Sequence, residues 1–256
     1  LLIGFTLIGR AVSDKTKAEV FRIGQGSTKI TVMQISDLHY PKSGCSLEFI
    51  YERIDSIKPD LIFITGDTID STTEKQHVAE LDSFFAALSQ KALCFAVLGN
   101  HEAINENLRY FKQLLSKNNI TLLENDCREI QIRARRISIA GVSDKVIYGK
   151  DSIKGYTSLN RNLPLLLLAH RPEKWPQYLN DTLQPLVTFS GHAHGGQFRI
   201  FGQGLYSPGQ GAFPKFDSGL YHKDGKYLVV SRGLGDSVIS YRLYNSYHLP
   251  VAEIYL

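Results

Sequence analysis

Three times in the first 120 residues, a short apolar run rich in β-formers gives way to a polar loop and then to apolar residues at helical spacing. KITVMQIS (29–36) precedes Leu47, Ile50, Ile54 and Ile57, residues 60–65 precede Val78, Leu81, Phe84, Phe85 and Leu88, and residues 92–98 precede Leu108, Phe111, Leu114 and Leu115. A change of period from strand-like to 3.6 is the mark of a β-loop-α unit. Units in series predict a largely parallel sheet with helices packed on its faces. Local signals agree: Ser46 stands where an N-cap accepts a free backbone N–H, and Pro59 cannot extend the helix before it.

The middle of the chain changes character. ITLLEND, REIQIRA and RISIAGVSD are short strand-like runs with polar turns, predicting a meander or hairpins. Residues 164–169 and 185–190 read as buried strands leading into His170 and Gly191-His192, and 226–231 and 250–256 as late strands. Residues 202–225, GQGLYSPGQGAFPKFDSGLYHKDG, have neither period and read as a long loop, a kind that is often functional. Its Leu205, Tyr206, Phe213, Phe216 and Tyr221 either pack the loop onto the body or form an apolar wall for a lipid or nucleoside group. His77, His222 and His248 have no motif around them and read as surface or loop residues, with His222 notable if that loop folds over the site.

With 43% hydrophobic and 21% charged residues, the 256-residue chain can bury a core within one domain. The net charge of +4 is interspersed and gives no case for nucleic acid. Arg133, Arg135 and Arg136 alternate with Ile132, Ala134 and Ile137, as on an exposed strand face. Cys45, Cys94 and Cys127 form no C-x-x-C pair and read as free thiols. The opening LLIGFTLIG spans only about half of a bilayer core as a helix. It is either the tail of a longer signal or anchor, or an ordinary edge element, and AVSDKTKAEV reads as a connector. This gives residues 1–20 as anchor remnant and connector, and 28–256 as the main domain.

Chemistry gathers at strand ends. Asp37-Leu-His39, Gly66-Asp67, Gly99-Asn100-His101, His170 and Gly191-His192-Ala193-His194 each follow one, and in open α/β sheets such loops line a common crevice. Singly, each residue could serve a turn or cap. Five of eight histidines at strand ends are not explained that way. Two carboxylates, one amide oxygen and four imidazoles suit Mn²⁺, Zn²⁺ or Fe, and suffice for two divalent ions sharing one carboxylate. Gly66, Gly99 and Gly191 precede ligand residues, where a tight turn swings the next side chain inward.

The blocks Asp37-x-His39, Gly66-Asp67-x-x-Asp70, Gly99-Asn100-His101-Glu102, His170 and Gly191-His192-x-His194 resemble the calcineurin-like metallophosphoesterase superfamily. Ser36-Asp-Leu-His39, the extension to Gln197 and Arg232-Gly-Leu-Gly235 resemble its YkuE-like bacterial branch. The resemblance implies an α/β fold, the metallophosphoesterase four-layer αββα sandwich with two central mixed β-sheets. It also implies that Asp37, His39 and His194 bind one metal ion, that Asn100, His170 and His192 bind another, and that Asp67 bridges them. His101 would be the catalytic non-ligand histidine, and Asp70 would steady a ligand loop. Glu102 replaces the Asp of many relatives, a change expected to matter little.

The activity so implied is hydrolysis of a phosphate ester or pyrophosphate by a hydroxide bridging the ions. The substrate is a phosphate ester, and no nucleic acid partner is expected. Two alternatives are a membrane-associated pyrophosphohydrolase acting on a lipid-linked nucleotide sugar and a non-catalytic scaffold of the same fold; a retained His101 argues against the scaffold. The apolar N-terminus implies membrane association, and Arg10, Lys15 and Lys17 favour a cytoplasmic catalytic side. Without the anchor, the protein would be cytoplasmic.

Overall fold

The computed structural model describes residues 9, 11–13, 15–144, 156, 159–180, 183–236 and 241–256. Its strands begin with β1 (Thr16–Gly24), β2 (Lys29–Ile35), β3 (Leu61–Thr65), β4 (Leu93–Val97), β5 (Thr121–Leu122), β6 (Asp126–Ile132), β7 (Arg135–Val142), β8 (Leu165–Ala169) and β9 (Val187–Ser190). Four two-residue strands follow, β10 (Arg199–Ile200), β11 (Gln203–Gly204), β12 (Tyr206–Ser207) and β13 (Gly211–Ala212). The last are β14 (Gly219–Lys223), β15 (Lys226–Val230) and β16 (Tyr247–Tyr255). The helices are α1 (Leu47–Ile57), α2 (Lys75–Lys91), α3 (Asn100–Ile104), α4 (Leu108–Lys117) and α5 (Trp175–Asn180).

Two six-stranded sheets dominate, ordered β1-β16-β2-β3-β4-β5 and β14-β15-β9-β8-β7-β6. Strands β2 to β5 run parallel, as the alternation predicts, while β16 enters antiparallel to β2 and makes the sheet mixed. In the second sheet β7, β8, β9 and β15 are parallel, flanked by antiparallel β6 and β14. Every residue of β3 (LIFIT) and β8 (LLLLA) is buried, which is why both read as continuous apolar runs without alternation.

The sheets stack face to face. Phe63 of β3 meets Phe189 of β9 edge-on at 5.1 Å and Phe95 of β4 at 6.2 Å, at the centre of an apolar layer that includes Val32, Leu61, Ile139, Leu166 and Val229. The outer face of the first sheet packs on α1, α2 and α4 through Ile50, Ile54, Phe84, Phe85, Phe111 and Leu115. The outer face of the second sheet carries Leu165, Leu167 and Tyr178, and Trp175 of α5 stacks edge-on with Phe216 at 5.7 Å. The result is the mixed α/β arrangement with two central sheets. At α1, Ser46 accepts the N–H of Phe49, and Lys58 closes the helix in a left-handed conformation, just before Pro59.

Several expectations change. Thr16 to Val20, read as connector, belong to β1, which pairs in parallel with β16 over nine positions. The hydrogen-bonding edge of β16 dictates this, since β1 has only a weak apolar pattern of its own. Thr121 and Leu122 join β4 in parallel instead of forming a hairpin, because α4 carries the chain back to the start of the sheet. Arg133 occupies the β6–β7 turn at φ 54° and reaches Asp60, so it is not on a strand face. The stretch read as a loop over 202–225 instead holds most of two small hairpins, the first beginning at Arg199, and the edge strand β14, each held by cross-strand pairing that no period announces. His222 lies on β14 with its ring against Tyr227, at 4.7 Å, in the sheet rather than over the site. His248 is fully buried in β16, with Nε2 3.2 Å from Glu19 Oε2, a partner that comes from β1.

The apolar opening, residues 1–8, lies outside the described residues. Among those described, no helix is long and apolar enough to cross a membrane.

Candidate active site

Strands β2, β3 and β4 deliver Asp37 and His39, Asp67, and Asn100 with His101, while β8 and β9 deliver His170, and His192 with His194. The first three strands belong to one sheet and the last two to the other, so the rim is the seam between stacked sheets, not the edge of a single one.

Along this seam the side chains form two neighbouring triads. Ligand atoms of Asp37, His39 and His194 lie within 4.8 Å of one another, and so do those of Asp67, His170 and His192. In the first triad His194 Nε2 is 3.4 Å from Asp37 Oδ1 and 3.2 Å from His39 Nε2. Asp67 Oδ2 joins the two, at 3.2 Å from His170 Nε2 and 4.0 Å from His39 Nε2. Asn100 follows Gly99, where an added Cβ would sit 2.2 Å from Asp67 Oδ1, and precedes His101, whose N–H donates to that oxygen at 2.9 Å. All six triad residues are buried. The structure therefore brings Asp37, His39, His194, Asp67, His170 and His192 together with His101, and Asn100 lies between two residues that touch Asp67.

The backbone achieves this at a cost. Asp37, His39, Asp67, His192 and His194 have φ between 46° and 65°, a left-handed region that non-glycine residues seldom occupy. The swing expected of the glycines is thus made largely by the ligand residues themselves. Gly66 does have φ 91°, but Gly99 and Gly191 serve closeness instead: a Cβ on Gly191 would lie 2.0 Å from Ser36 Oγ and 2.2 Å from Asp37 Oδ2.

Hydrogen bonds fix the strained turns. Asp37 accepts from Ser36 Oγ at 2.6 Å and from the His192 N–H at 2.9 Å, which ties the two sheets together at the seam. Glu102, buried, accepts from the N–H groups of Asp67, Thr68 and Gly99. That carboxylate is the clasp between two ligand loops, a larger part than its sequence position suggests. Asp70 accepts from Thr72 and stands 3.9 Å from His39 Nδ1. Arg171 is held by Asp144 and contacts His192 Nε2 at 2.9 Å, while Arg242 contacts His194 Nδ1 at 3.3 Å and Asn245 donates to the His194 carbonyl. Sequence reasoning missed these three; only the adjacency of Arg171 to His170 hinted at one of them.

Charge is crowded here. Burial would raise Asp67, yet the imidazoles of His170, His39 and His101 hold its carboxyl well below the usual carboxylate range. Burial pushes Asp37 up to about 6, opposed by His170 and reinforced by Asp67, and together with Asp67 it pushes Glu102 up to about 7. Burial likewise pushes His39 down to about 4 and keeps His192 and His194 well below the ordinary imidazole range. His170 runs the other way: burial disfavours its charge, but Asp67 above all pushes it up to about 10.

A cation fits such a set. Nδ1 of His170 faces the Thr65 carbonyl at 2.8 Å and so carries the proton, which turns the Nε2 lone pair towards the Asp67 carboxylate. Asn100 Oδ1 and His170 Nε2 are buried without a hydrogen-bond partner, and a buried polar atom left alone costs on the order of 1–3 kcal/mol. Nitrogen and oxygen atoms that face one another so closely suit a divalent metal ion, which would stand where a proton otherwise pairs His170 Nε2 with Asp67.

Comparison with known proteins agrees. The family model for calcineurin-like phosphoesterases matches residues 30–211. The chain is similar to the uncharacterized metallophosphoesterase YkuE of Bacillus subtilis, at 27% identity over 83% of this chain and 74% of that one. It is also similar to the UDP-2,3-diacylglucosamine pyrophosphatase LpxG of Chlamydia muridarum, at 26% identity over 80% of this chain and 78% of that one. Among solved structures, a dimetal phosphatase from Danio rerio superposes with a TM-score of 0.51 at 13% identity, over 88% of this chain and 93% of that one, a likeness of fold.

Proposed function

The chain belongs to the calcineurin-like phosphoesterase family, and from that premise we propose that it hydrolyses a phosphate ester or pyrophosphate with two divalent ions at the seam. The observation that supports this reading is the meeting of the two triads at Asp67, which stands 3.2 Å from His170 Nε2 and 4.0 Å from His39 Nε2. Asp37, His39 and His194 would hold one ion, and Asn100, His170 and His192 the other, with Asp67 shared. When bound, such ions supply a nucleophile from water near neutral pH and neutralise phosphate oxygens.

The protein's own groups do the rest. His101 accepts the Ser71 N–H at Nδ1, so a neutral ring keeps its proton on Nε2, 4.0 Å from Asp67 Oδ2 and facing the centre. From there it donates to the leaving oxygen. Thr65 holds the His170 ring and Arg171 steadies His192, so the donors are in place before substrate arrives.

The test is elemental analysis of the purified protein together with turnover of bis(p-nitrophenyl) phosphate and p-nitrophenyl phosphate in Mn²⁺. About two ions per chain and hydrolysis of either ester are expected. Metal without turnover of either would favour a scaffold.

The likeness to the pyrophosphatase LpxG supports a second reading, a lipid-linked nucleotide sugar as substrate. Release of a nucleoside monophosphate from UDP-2,3-diacylglucosamine would support it; turnover of soluble nucleotides alone would remove it.

A further inference from the structure

Immediately after the loop that bears His192 and His194, the chain makes two small hairpins, β10–β11 and β12–β13. Ile200 pairs with Gln203, so Phe201 and Gly202 form a two-residue turn, at φ 49° and 84°. Asparagine or aspartate is the favoured first residue there, since phenylalanine is poorly tolerated at positive φ. Folding gains nothing from the choice, because Phe201 is fully exposed (106%). Phe213, just past the end of β13, likewise has a positive φ, 51°, and is 70% exposed, and Tyr206 and Ile200 are 60% and 40% exposed. Gln203 Nε2 donates to the Pro214 carbonyl at 3.0 Å, which sets the two hairpins side by side.

Ile200, Phe201 and Gly202 also line a groove of about 430 Å³ with Arg199 and Tyr244. The N-terminal part of the chain reaches the body at this point: the Gly9 carbonyl accepts the Tyr244 N–H at 3.1 Å. The eight residues before Gly9, LLIGFTLI, carry no charge, and Arg10, Lys15 and Lys17 follow it. The two hairpins thus carry exposed Phe201, Phe213, Tyr206 and Ile200, with Arg199 in the groove, exposed Lys215 two residues after Phe213, and Gly9 held at the groove residue Tyr244. Aromatic and basic groups of this kind settle at the boundary of a bilayer. A projecting hairpin tip suits insertion among lipids better than a flat protein interface.

We propose that these two hairpins dock on an anionic lipid surface, inserting Phe201 and Phe213 and setting the seam that bears the metal-ligand histidines beside the membrane. A substrate with an acyl chain would then reach the site along the lipid plane.

The test uses the whole 256-residue chain and vesicles of phosphatidylcholine with one quarter phosphatidylglycerol. Flotation should show the F201S/F213S double variant binding at least about tenfold more weakly than the unaltered protein, as removal of two inserted aromatics requires. An unchanged thermal melt would show that the fold is intact. The F201W protein should gain blue-shifted emission with vesicles, against a background from Trp175, which is buried. Equal flotation of the double variant would overturn the proposal, as would F201W emission indifferent to vesicles. So would a dimer that the double variant dissociates, with no vesicle dependence, since the patch would then face a second copy. None of these readouts depends on turnover, so the proposal and the hydrolytic reading can fail separately.

Discussion

At the scale of single residues, the site stores strain and is held by its surroundings. Five candidate ligand residues in left-handed backbone cost of order 1–3 kcal/mol each, and persist only where neighbours fix them. Asp67 and His101 separate by role. Asp67→Ala should lose both ions and all turnover, because that carboxylate belongs to one triad and stands 4.0 Å from His39 of the other. His101→Ala should keep its metal and lose roughly 10²–10⁴ in kcat. Equal metal loss in the two, by elemental analysis, would contradict the role given to His101. His248 offers a test of stability. Burial, foremost, pushes its imidazole from 6.5 down to about 4, so the unfolded chain takes up a proton that the folded one refuses. Stability from this residue is therefore full above pH 6.5 and falls as pH drops towards 4, by about 3 kcal/mol in all. Denaturant titrations at pH 7 and 4.5 should show a smaller loss for His248→Gln than for the unaltered protein.

At the scale of elements, short loops after strands do what longer loops usually do, because close contacts replace length. Gly191→Ala would press on Ser36 and Asp37, so metal content should fall even if the fold survives. Gly225→Ala is the contrasting case. Its Cβ would meet nothing within 4 Å, but φ is 73°, so a cost of roughly 1 kcal/mol in stability with full metal content is expected. Glu102 belongs to this scale as well, since it fastens the loops after β3 and β4 through four backbone N–H groups, those of Asp67, Thr68, Ile69 and Gly99. Glu102→Ala should leave those donors buried and unpaired, and weaken metal affinity in a chelator competition more than it lowers the melting temperature.

For the whole molecule, stacking of the sheets determines the geometry of the site, because each triad takes side chains from both. Phe63 stands at the centre of that stack between Phe95 and Phe189. Phe63→Ala should cost about 3–5 kcal/mol in denaturant unfolding, as a large internal cavity does. It should also lower metal affinity, although Phe63 lies in the apolar layer between the sheets and offers no ligand atom. Unaltered affinity would mean that the rims are positioned by their loops alone.

Legible in the residue order were the alternation of β2 to β4 with α1, α2 and α4, the apolar faces those helices bury, and the identity of the gathered residues. Each rests on a local cause: periodicity, an N-cap at Ser46, a helix stop at Pro59, and donor chemistry placed at strand ends. Tertiary structure alone decided that the strands divide between two sheets, that β1 pairs with β16 across more than 200 residues, and that His248 is buried beside Glu19. It also decided the parts of Glu102, Arg171, Arg242 and Asn245, whose partners are distant in the chain or chosen by backbone geometry. Short-range patterns record which face of an element is apolar. They carry no record of which other element will cover it, because that depends on the edges and surfaces left free once the rest has folded.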